Sequence, residues 1–305
     1  MSIVAVAGGN GFIGSTFIDM YKKEFSEVRI ITREFEKENM EDYDNVKYCI
    51  TDYEFESLSE KLIGVDYLIV LAGQREASTD YLTYLPSIKL YINLLEASLT
   101  AKIKKIVFAS SISVFGNSNP LPWTEDMYPK AETMYGIHKL TLEQIGNWYH
   151  LKHDLPVISV RFAHIYGANE RNNYMINLFM RKAYNHEPLE LHTPAIAKRD
   201  FLYVKDAAKS LLCAIKSDVR EGFYNITCGE ALDNWEVAET INKVFGNPHE
   251  VHIKEPDAVE TIVSSYMLGD LARQKLNFEA TYTMETAMKE IKSEMEGLGD
   301  VPIFY

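Results

Sequence analysis

The sequence predicts an α/β protein with a doubly wound parallel sheet and a smaller C-terminal lobe that binds the substrate. Short apolar strands alternate with amphipathic helices as far as residue 167. The first strand, residues 3–7, leads directly into a glycine-rich turn and then into a helix from about residue 15 to residue 25. From Ala168 onward this alternation loosens. Because strands that alternate with helices over short connections form a parallel sheet covered on both faces, we assign the sheet to the first part and the lobe to the second.

Composition and charge narrow the class of function. Of the 305 residues, 47% are hydrophobic and 25% are charged, which is typical of a soluble globular protein. The net charge of −13 argues against nonspecific binding to nucleic acid or to an anionic membrane. The three cysteines and eight histidines show no disulfide or metal-ligand spacing. Since there is no signal peptide and no apolar run of about 20 residues, we expect a cytoplasmic protein without a metal site.

The turn after the first strand is the first candidate cofactor site. Gly8 permits a tight turn, Gly11 lets the backbone approach a pyrophosphate, and Gly14 allows the helix to pack on the strand. The N-terminus of that helix offers free N–H groups to the phosphates. A strand, a glycine turn and a helix in this order predict a dinucleotide site. Its residues are Gly8, Asn10, Gly11, Phe12, Ile13 and Gly14.

The ends of the second and third strands predict the contacts with the adenosine. A dinucleotide site that prefers NAD carries an acidic residue about 20 residues beyond the glycines. Arg33 follows the second strand, residues 28–32, instead. This arginine favours the 2′-phosphate of NADP, and the choice between NAD and NADP stays open. Asp52 and Tyr53 follow the third strand, residues 46–50, and Asp52 is placed to accept a hydrogen bond from the adenine amino group.

The central strands bring further residues to the same edge of the sheet, because ligands bind at the carboxyl ends of parallel strands. Arg75, beyond the fourth strand, can reach a phosphate or a sugar hydroxyl. Ser110 and Ser111 follow the fifth strand, residues 106–109, and line the crevice. The predicted cofactor contacts at these strand ends are Leu71, Ala72, Gly73, Ala109, Ser110 and Phe162.

Tyr135 and Lys139 are the candidate proton-transfer pair. Residues four apart lie on one face of a helix, so the phenol and the ammonium point into the same space. A free phenol, with a pKa near ~10, is a poor base at neutral pH. A cation about 5 Å away favours the phenolate by roughly 3 kcal/mol at an effective dielectric constant of about 20. We therefore expect Lys139 to lower the pKa of Tyr135 and, together with a positively charged cofactor ring, to make Tyr135 a proton shuttle.

The chain divides into two units in this prediction. The dinucleotide-binding domain covers residues 1–167, and residues 199–228 return to it. The substrate-binding lobe covers residues 168–198 and 229–305. Within the returning segment, Asp206 is expected to cap a helix, because aspartate is a favoured residue at that position.

Five segments together resemble the extended short-chain dehydrogenase/reductase family, and in particular its nucleotide-sugar epimerases and dehydratases. They follow one another in the family's order at residues 8–14, 110–116, 135–139, 161–167 and 199–206. The resemblance implies a Rossmann fold and a homodimer built from the helix near residues 79–100 and the Tyr135 helix. It also implies that Ser111 binds the reacting sugar oxygen, Tyr135 transfers the proton, and Lys139 holds the nicotinamide ribose. Arg199 is then the residue that binds the pyrophosphate of the substrate.

Two departures from the family pattern bear on the reaction. Family dehydratases carry a Thr-Asp-Glu triplet where this chain has Ser111, Ile112 and Ser113. Without the Asp-Glu pair, elimination of water lacks its acid and its base, so the resemblance argues against a dehydratase. His164 replaces the asparagine that is usual after the sixth strand, and we place it among the substrate contacts.

The leading hypothesis is a nucleotide-sugar 4-epimerase of the UDP-glucose/galactose or UDP-N-acetylglucosamine type. Tyr135, helped by Ser111, would take the C4 hydroxyl proton while the C4 hydride passes to the nicotinamide, and the 4-keto sugar would then turn over. Arg199 would hold the nucleotide, together with Asn173 or with one of its neighbours, Arg171 or Asn172. One alternative is an NADPH-dependent reductase of a 4-keto nucleotide sugar, which Arg33 favours. Another is a nucleotide-sensing protein without catalysis. The base, the sugar and the N-acetyl group stay undecided.

Overall fold

The computed structural model describes residues 1–33, 44–75, 78–168, 170, 174–259 and 261–297. Within these residues it contains twelve β-strands and nine α-helices. The strands are β1 (Ile3–Ala7), β2 (Glu27–Thr32), β3 (Val46–Ile50), β4 (Tyr67–Val70), β5 (Lys105–Ser111), β6 (Val157–Phe162), β7 (His164–Tyr166), β8 (Glu190–Leu191), β9 (Arg199–Tyr203), β10 (Glu221–Ile226), β11 (Ala231–Leu232) and β12 (His252–Ile253). The helices are α1 (Phe12–Tyr21), α2 (Phe55–Lys61), α3 (Leu85–Ala101), α4 (Met134–His153), α5 (Met175–Tyr184), α6 (Val204–Lys216), α7 (Asn234–Phe245), α8 (Asp270–Leu276) and α9 (Met284–Gly297).

Seven of these strands form one parallel sheet, which confirms the predicted fold class. Their order is β10-β6-β5-β4-β1-β2-β3, and every neighbouring pair is parallel. From β1 the chain first adds β2 and β3 on one side, and then adds β4, β5, β6 and β10 on the other. The order therefore reverses between β1 and β4, and such a reversal opens a crevice at the carboxyl ends of the strands.

The side chains of β1 alternate between two hydrophobic cores. Val4 and Val6 belong to a core shared with α1 and α6, whereas Ala5 and Ala7 belong to a core shared with α2, α3 and α4. Successive residues of a strand point to opposite faces of the sheet, and all four of these side chains are fully buried. This burial on both faces explains why the strand is apolar throughout.

A third hydrophobic core packs α5, α7 and α9 together in the C-terminal part of the chain. Helix α7 begins with a capping box, in which Asp233 accepts from the Glu236 N–H at 2.8 Å and Glu236 accepts from the Asp233 N–H at 2.9 Å. Phe12 and Ile13, which follow the glycine turn, pack against this core. The C-terminal helices are therefore anchored beside the predicted dinucleotide site.

Asp206 has a different role from the predicted one. Helix α6 begins at Val204, so Asp206 lies inside its first turn and not at the capping position. Its two carboxylate oxygens accept from the N–H groups of Thr281 and Tyr282 at 2.9 Å and 3.0 Å. The prediction of a cap is wrong because this carboxylate joins α6 to the segment that precedes α9.

The part of the chain that the structure describes contains neither a membrane-spanning helix nor a cluster of metal-binding side chains. None of its helices is long and apolar enough to cross a lipid bilayer. The described histidine, cysteine and acidic side chains form no group of three that could hold a metal ion. Cys49, Cys213 and Cys228 are free thiols.

Candidate active site

A cavity of about 730 Å³ opens at the carboxyl ends of β1, β4, β5 and β6. It is bounded by the glycine turn, the strand ends, the start of α4 and strand β9. The predicted site residues that line it are Gly8, Gly11, Phe12, Ile13, Gly14, Leu71, Ala72, Gly73, Arg75, Ala109, Ser110, Ser111, Tyr135, Lys139, Phe162, His164 and Arg199. The reversal of strand order thus brings residues from distant parts of the sequence to one place.

The glycine turn forms a cradle that leaves no room for side chains. At Gly8 the φ angle is +85°, and a Cβ there would lie 2.7 Å from the amide nitrogen of Ala72. At Gly14 a Cβ would overlap the backbone of the turn itself. Helix α1 begins at Phe12, earlier than predicted, and no side chain caps its N-terminus at Gly11. Its first N–H groups are therefore available to a phosphate, and the cradle fits the pyrophosphate of a dinucleotide cofactor.

Three predicted cofactor contacts, Asn10, Arg33 and Asp52, lie outside the lining of the cavity. The Asn10 side chain donates to Thr32 Oγ1 at 3.3 Å on the exposed end of β2. Asp52 is exposed after β3, and one of its oxygens accepts from the Glu54 N–H at 2.9 Å. Arg33 is exposed as well. The role of these three side chains in binding the cofactor stays a prediction.

Tyr53 is buried in the hydrophobic core and does not line the cavity. Its side chain is 7% exposed, and its hydroxyl donates to the carbonyl oxygen of Ile31 at 2.7 Å. Its backbone N–H donates to Thr51 Oγ1 at 3.0 Å. Both donors of Tyr53 are used within the protein, and its contact with a cofactor stays a prediction.

Helix α4 presents Tyr135 to the cavity from its first turn. Thr133 caps the helix, and its Oγ1 accepts from the Gly136 N–H at 3.0 Å. Gly136 allows the helix to approach the turn after β5, since a Cβ there would lie 3.0 Å from the carbonyl carbon of Ser113. This approach brings Tyr135 and Ser111 to the same cavity, and the Ser111 hydroxyl acts to lower the pKa of the phenol.

Lys139 lies one turn further along α4 and places a cation near the phenol. Its Nζ donates to the carbonyl oxygen of Ala109 at 2.8 Å. The same nitrogen lies 5.8 Å from the centroid of the Tyr135 ring and 5.0 Å from that of Phe108. Burial lowers the pKa of Lys139 to about 8, while the carboxylate of Glu143 acts in the opposite direction. Lys139 and Tyr135 therefore share one face of the helix, as the four-residue spacing predicted.

The pKa of Tyr135 is raised, which is opposite to the direction expected from the sequence. Burial of the phenol is the largest cause. The hydrogen bond with Ser111 and the charge of Arg75 lower the pKa, but by less. The protein alone therefore keeps Tyr135 as a neutral phenol at pH 7, because Ser111 and the charge of Arg75 do not outweigh desolvation.

Arg75 has an acidic partner that the sequence did not reveal. Its Nη2 donates to Glu170 Oε1 at 2.8 Å, and both residues line the cavity. The Glu170 side chain is 4% exposed, whereas that of Arg75 is 54% exposed. A phosphate or sugar hydroxyl would have to compete with this carboxylate for Arg75. Glu170 was missed because a glutamate 95 residues away carries no local signal of the pairing.

His164 and Arg199 meet where β7 and β9 border the cavity. His164 Nε2 lies 3.4 Å from Arg199 Nη2 and 3.2 Å from Ser265 Oγ. Burial and the charge of Arg199 lower the pKa of His164 to about 3, so this ring is neutral and its Nε2 accepts. No carboxylate within the described ranges pairs with Arg199, which stacks at 5.7 Å from the Phe201 ring. Arg199 can therefore receive an anionic group. Asn173, predicted beside it, lies outside the described residues.

Known proteins resemble this chain along nearly all of its length. The sequence model of the NAD dependent epimerase/dehydratase family matches residues 4–227. The crystal structure of UDP-N-acetylglucosamine 4-epimerase from Bacillus cereus is 40% identical, with a TM-score of 0.90 over 100% of both chains. The UDP-glucose 4-epimerase of Corynebacterium glutamicum is 25% identical over 97% of this chain and 96% of its own. UDP-N-acetylglucosamine 4-epimerase from Methanobrevibacter ruminantium, solved with UDP-N-acetylmuramic acid, shares the fold at 24% identity, with a TM-score of 0.86 over 97% of this chain and 99% of its own.

Proposed function

The chain belongs to the NAD dependent epimerase/dehydratase family, and from this premise we propose that it is a nucleotide-sugar 4-epimerase acting on UDP-N-acetylglucosamine. The observation that carries the proposal is that Ser111, Tyr135 and Lys139 line the same cavity as the glycine cradle. The full-length similarity to a bacterial UDP-N-acetylglucosamine 4-epimerase supports the choice of substrate. The triplet Ser111-Ile112-Ser113 has no acid pair and argues against dehydration.

In this proposal some residues of the cavity bind the nucleotide sugar, and others transfer the proton of its C4 hydroxyl. Tyr135 takes the proton of the C4 hydroxyl, and Ser111 donates a hydrogen bond to the same sugar oxygen. Lys139 holds a positive charge 5.8 Å from the Tyr135 ring and so favours the phenolate. Bound NAD supplies the hydride acceptor and a positive ring charge that helps to offset the burial of the phenol. Arg199 holds the pyrophosphate, so that the sugar alone turns over in the cavity.

The direct test is an NMR assay of the purified protein with UDP-N-acetylglucosamine and without added NAD or NADP. We expect the signals of UDP-N-acetylgalactosamine to grow until they reach an equilibrium mixture, and the same mixture to form from the opposite epimer. UDP-glucose, dTDP-sugars and GDP-sugars complete the panel. A protein that interconverts no UDP-gluco and UDP-galacto pair, with or without the N-acetyl group, contradicts the proposal.

We also propose that the cofactor is NAD and that it is retained between turnovers. The family description supports NAD. Arg33, which follows β2, favours NADP because an arginine there can bind the 2′-phosphate. Denaturing the purified protein and identifying the released nucleotide decides between them. Released NAD supports the epimerase. A protein that releases none and consumes added NADPH with a 4-keto nucleotide sugar is the reductase instead.

An apolar face on α3 and α4 supports a homodimer as the working unit. The residues of this face are Ile92, Ile137, Leu140, Thr141, Gln144, Ile145, Trp148 and Tyr149. Trp148 is 52% exposed, and Leu151, one turn further, is 72% exposed. Exposed apolar patches of this kind mark interaction sites. A second copy of the chain can cover the face through the same two helices, because a two-fold axis brings one patch against itself.

Trp148→Glu is expected to convert the dimer into a monomer, because a carboxylate would be buried without a partner at the centre of the interface. Sedimentation equilibrium of the purified variant measures the mass directly. Ile63→Glu is the matched control, since Ile63 is 68% exposed and lies outside this face. If the unaltered protein is a monomer, or if Trp148→Glu keeps the dimer mass, the proposed interface is wrong.

A further inference from the structure

Glu143 and Arg161 form an ion pair in the interior, next to the candidate active site. Glu143 is 0% exposed and Arg161 is 1% exposed. Arg161 donates through Nε to Glu143 Oε1 at 2.9 Å and through Nη2 to Oε2 at 2.7 Å, and Ser110 Oγ donates to Oε1 at 2.5 Å. The guanidinium lies 5.0 Å from the Phe115 ring centroid and 4.8 Å from that of Phe223. Three charge-assisted hydrogen bonds therefore hold the carboxylate in one orientation.

The pair joins the elements that carry the proton-transfer residues. Glu143 lies in α4, four residues beyond Lys139, and residues at this spacing share one face of a helix. Ser110 directly precedes Ser111 at the end of β5. Arg161 lies in the neighbouring strand β6. One buried carboxylate thus contacts β5 and β6 and stands next to the lysine of α4.

Lys139 requires a negative charge nearby if it is to stay protonated. Burial disfavours its ammonium form and lowers its pKa to about 8. Its hydrogen bond goes to the neutral carbonyl of Ala109, and no carboxylate of the described chain forms an ion pair with it. The charge of Glu143 is what raises the pKa of Lys139 against this burial.

We propose that Glu143 is a positioning residue of the proton-transfer site, which keeps Lys139 charged and holds the end of β5 in place for Ser111. The inference rests on the proposed function, because it takes Tyr135 and Lys139 as the proton-transfer pair. Hydrophobic residues can hold packed elements together as well as a buried ion pair does. They cannot supply the negative charge that Lys139 needs, and this charge distinguishes the proposal from a purely structural role.

Other titratable groups around these charges do not replace Glu143. Those that face them from the packed elements are Tyr135 and His138 of α4, Tyr91 of α3 and Glu125 of the loop before α4. Burial lowers the pKa of His138 to about 4 and raises that of Tyr91, so both side chains are neutral at pH 7. The charge of Arg161 acts on the pKa of Glu125, and Glu125 is not among the groups that act on the pKa of Lys139.

The test compares the variants Glu143→Gln and Arg161→Met. Both break the ion pair, but only Glu143→Gln removes the negative charge next to Lys139. NMR of protein labelled with ¹³C at the lysine ε-carbons measures the pKa of Lys139, whose signal is identified by its absence in Lys139→Met. In Glu143→Gln we expect this pKa to fall below about 8, because the ammonium loses its negative neighbour. The alkaline limb of the kcat profile should move to lower pH, with kcat at pH 8 reduced about tenfold. Arg161→Met should not lower the pKa.

Removing one partner of a buried ion pair is strongly destabilising, so Glu143→Gln is expected to lower the stability of the protein. The double variant Glu143→Gln/Arg161→Met leaves no buried charge unpaired and should still lower the pKa of Lys139, although by less, because a buried cation is removed as well. An unchanged pKa of Lys139 in either variant that lacks Glu143, or a loss of activity that is equal at every pH, overturns the proposal. The NMR titration needs no turnover, so it can fail while the 4-epimerase assay succeeds, and it can succeed while that assay fails.

Discussion

Tyr135→Phe is expected to lower kcat for 4-epimerisation by about 10³-fold, within the range of about 10²–10⁴ that positioned acid–base groups contribute. The phenyl ring keeps the packing of Tyr135 at the start of α4, but it cannot take or return a proton. Ser111 still holds the sugar oxygen, and Arg199 still faces the cavity, so KM should change little. Steady-state kinetics with UDP-N-acetylglucosamine measure both quantities.

Tyr128→Phe is the matched control for this substitution. The Tyr128 side chain is 79% exposed and does not line the cavity, so this variant should keep full activity. Both variants should unfold at the temperature of the unaltered protein and release the same amount of NAD on denaturation. If Tyr135→Phe retains more than about a tenth of kcat, acid–base catalysis at its usual magnitude is excluded for Tyr135.

Gly14→Ala should produce the second large effect, at the cradle for the cofactor. The new Cβ would lie 2.7 Å from Gly9 Cα and closer still to the carbonyl oxygen of Gly8. Both are backbone atoms of the turn, and neither can move without changing the surface offered to a pyrophosphate. We expect a loss of about 1–3 kcal/mol in the free energy of unfolding from overpacking, and the loss of most of the bound NAD. Denaturant unfolding and the nucleotide content after purification measure the two effects.

Gly297→Ala provides the corresponding control, because a Cβ at Gly297 meets nothing within 4 Å. This variant should match the unaltered protein in stability and in bound NAD. A Gly14→Ala protein that keeps both would show that the turn does not hold the cofactor as closely as the structure indicates.

Features that depend on residues close together in the chain could be predicted from the sequence. The strand Ile3–Ala7 is apolar throughout because both of its faces are buried, and that pattern is visible without a structure. The spacing of the glycines that follow is the spacing that a single tight turn between a strand and a helix requires. Tyr135 and Lys139 share a helix face because the helix repeats every 3.6 residues. The fold class and most of the cavity lining follow from such local rules.

Features that depend on distant contacts or on burial could not be predicted in the same way. Arg75 forms an ion pair with Glu170, which lies 95 residues further along the chain, and no local sequence pattern predicts this pair. The Tyr53 hydroxyl donates to the carbonyl oxygen of Ile31, and this side chain is buried outside the lining of the cavity. The pKa of Tyr135 moves upward because burial outweighs the nearby charges, and helical spacing carries no information about burial.

The most direct test of the central claim follows the hydrogen at C4 of the sugar. UDP-N-acetylglucosamine that carries deuterium at C4 is incubated in ordinary water with the purified protein and no added nucleotide. If the hydride leaves C4 and returns to the same carbon within one cavity, UDP-N-acetylgalactosamine will form with the deuterium still at C4, as observed by NMR and mass spectrometry. Formation of the product with the deuterium lost to the solvent would contradict the account.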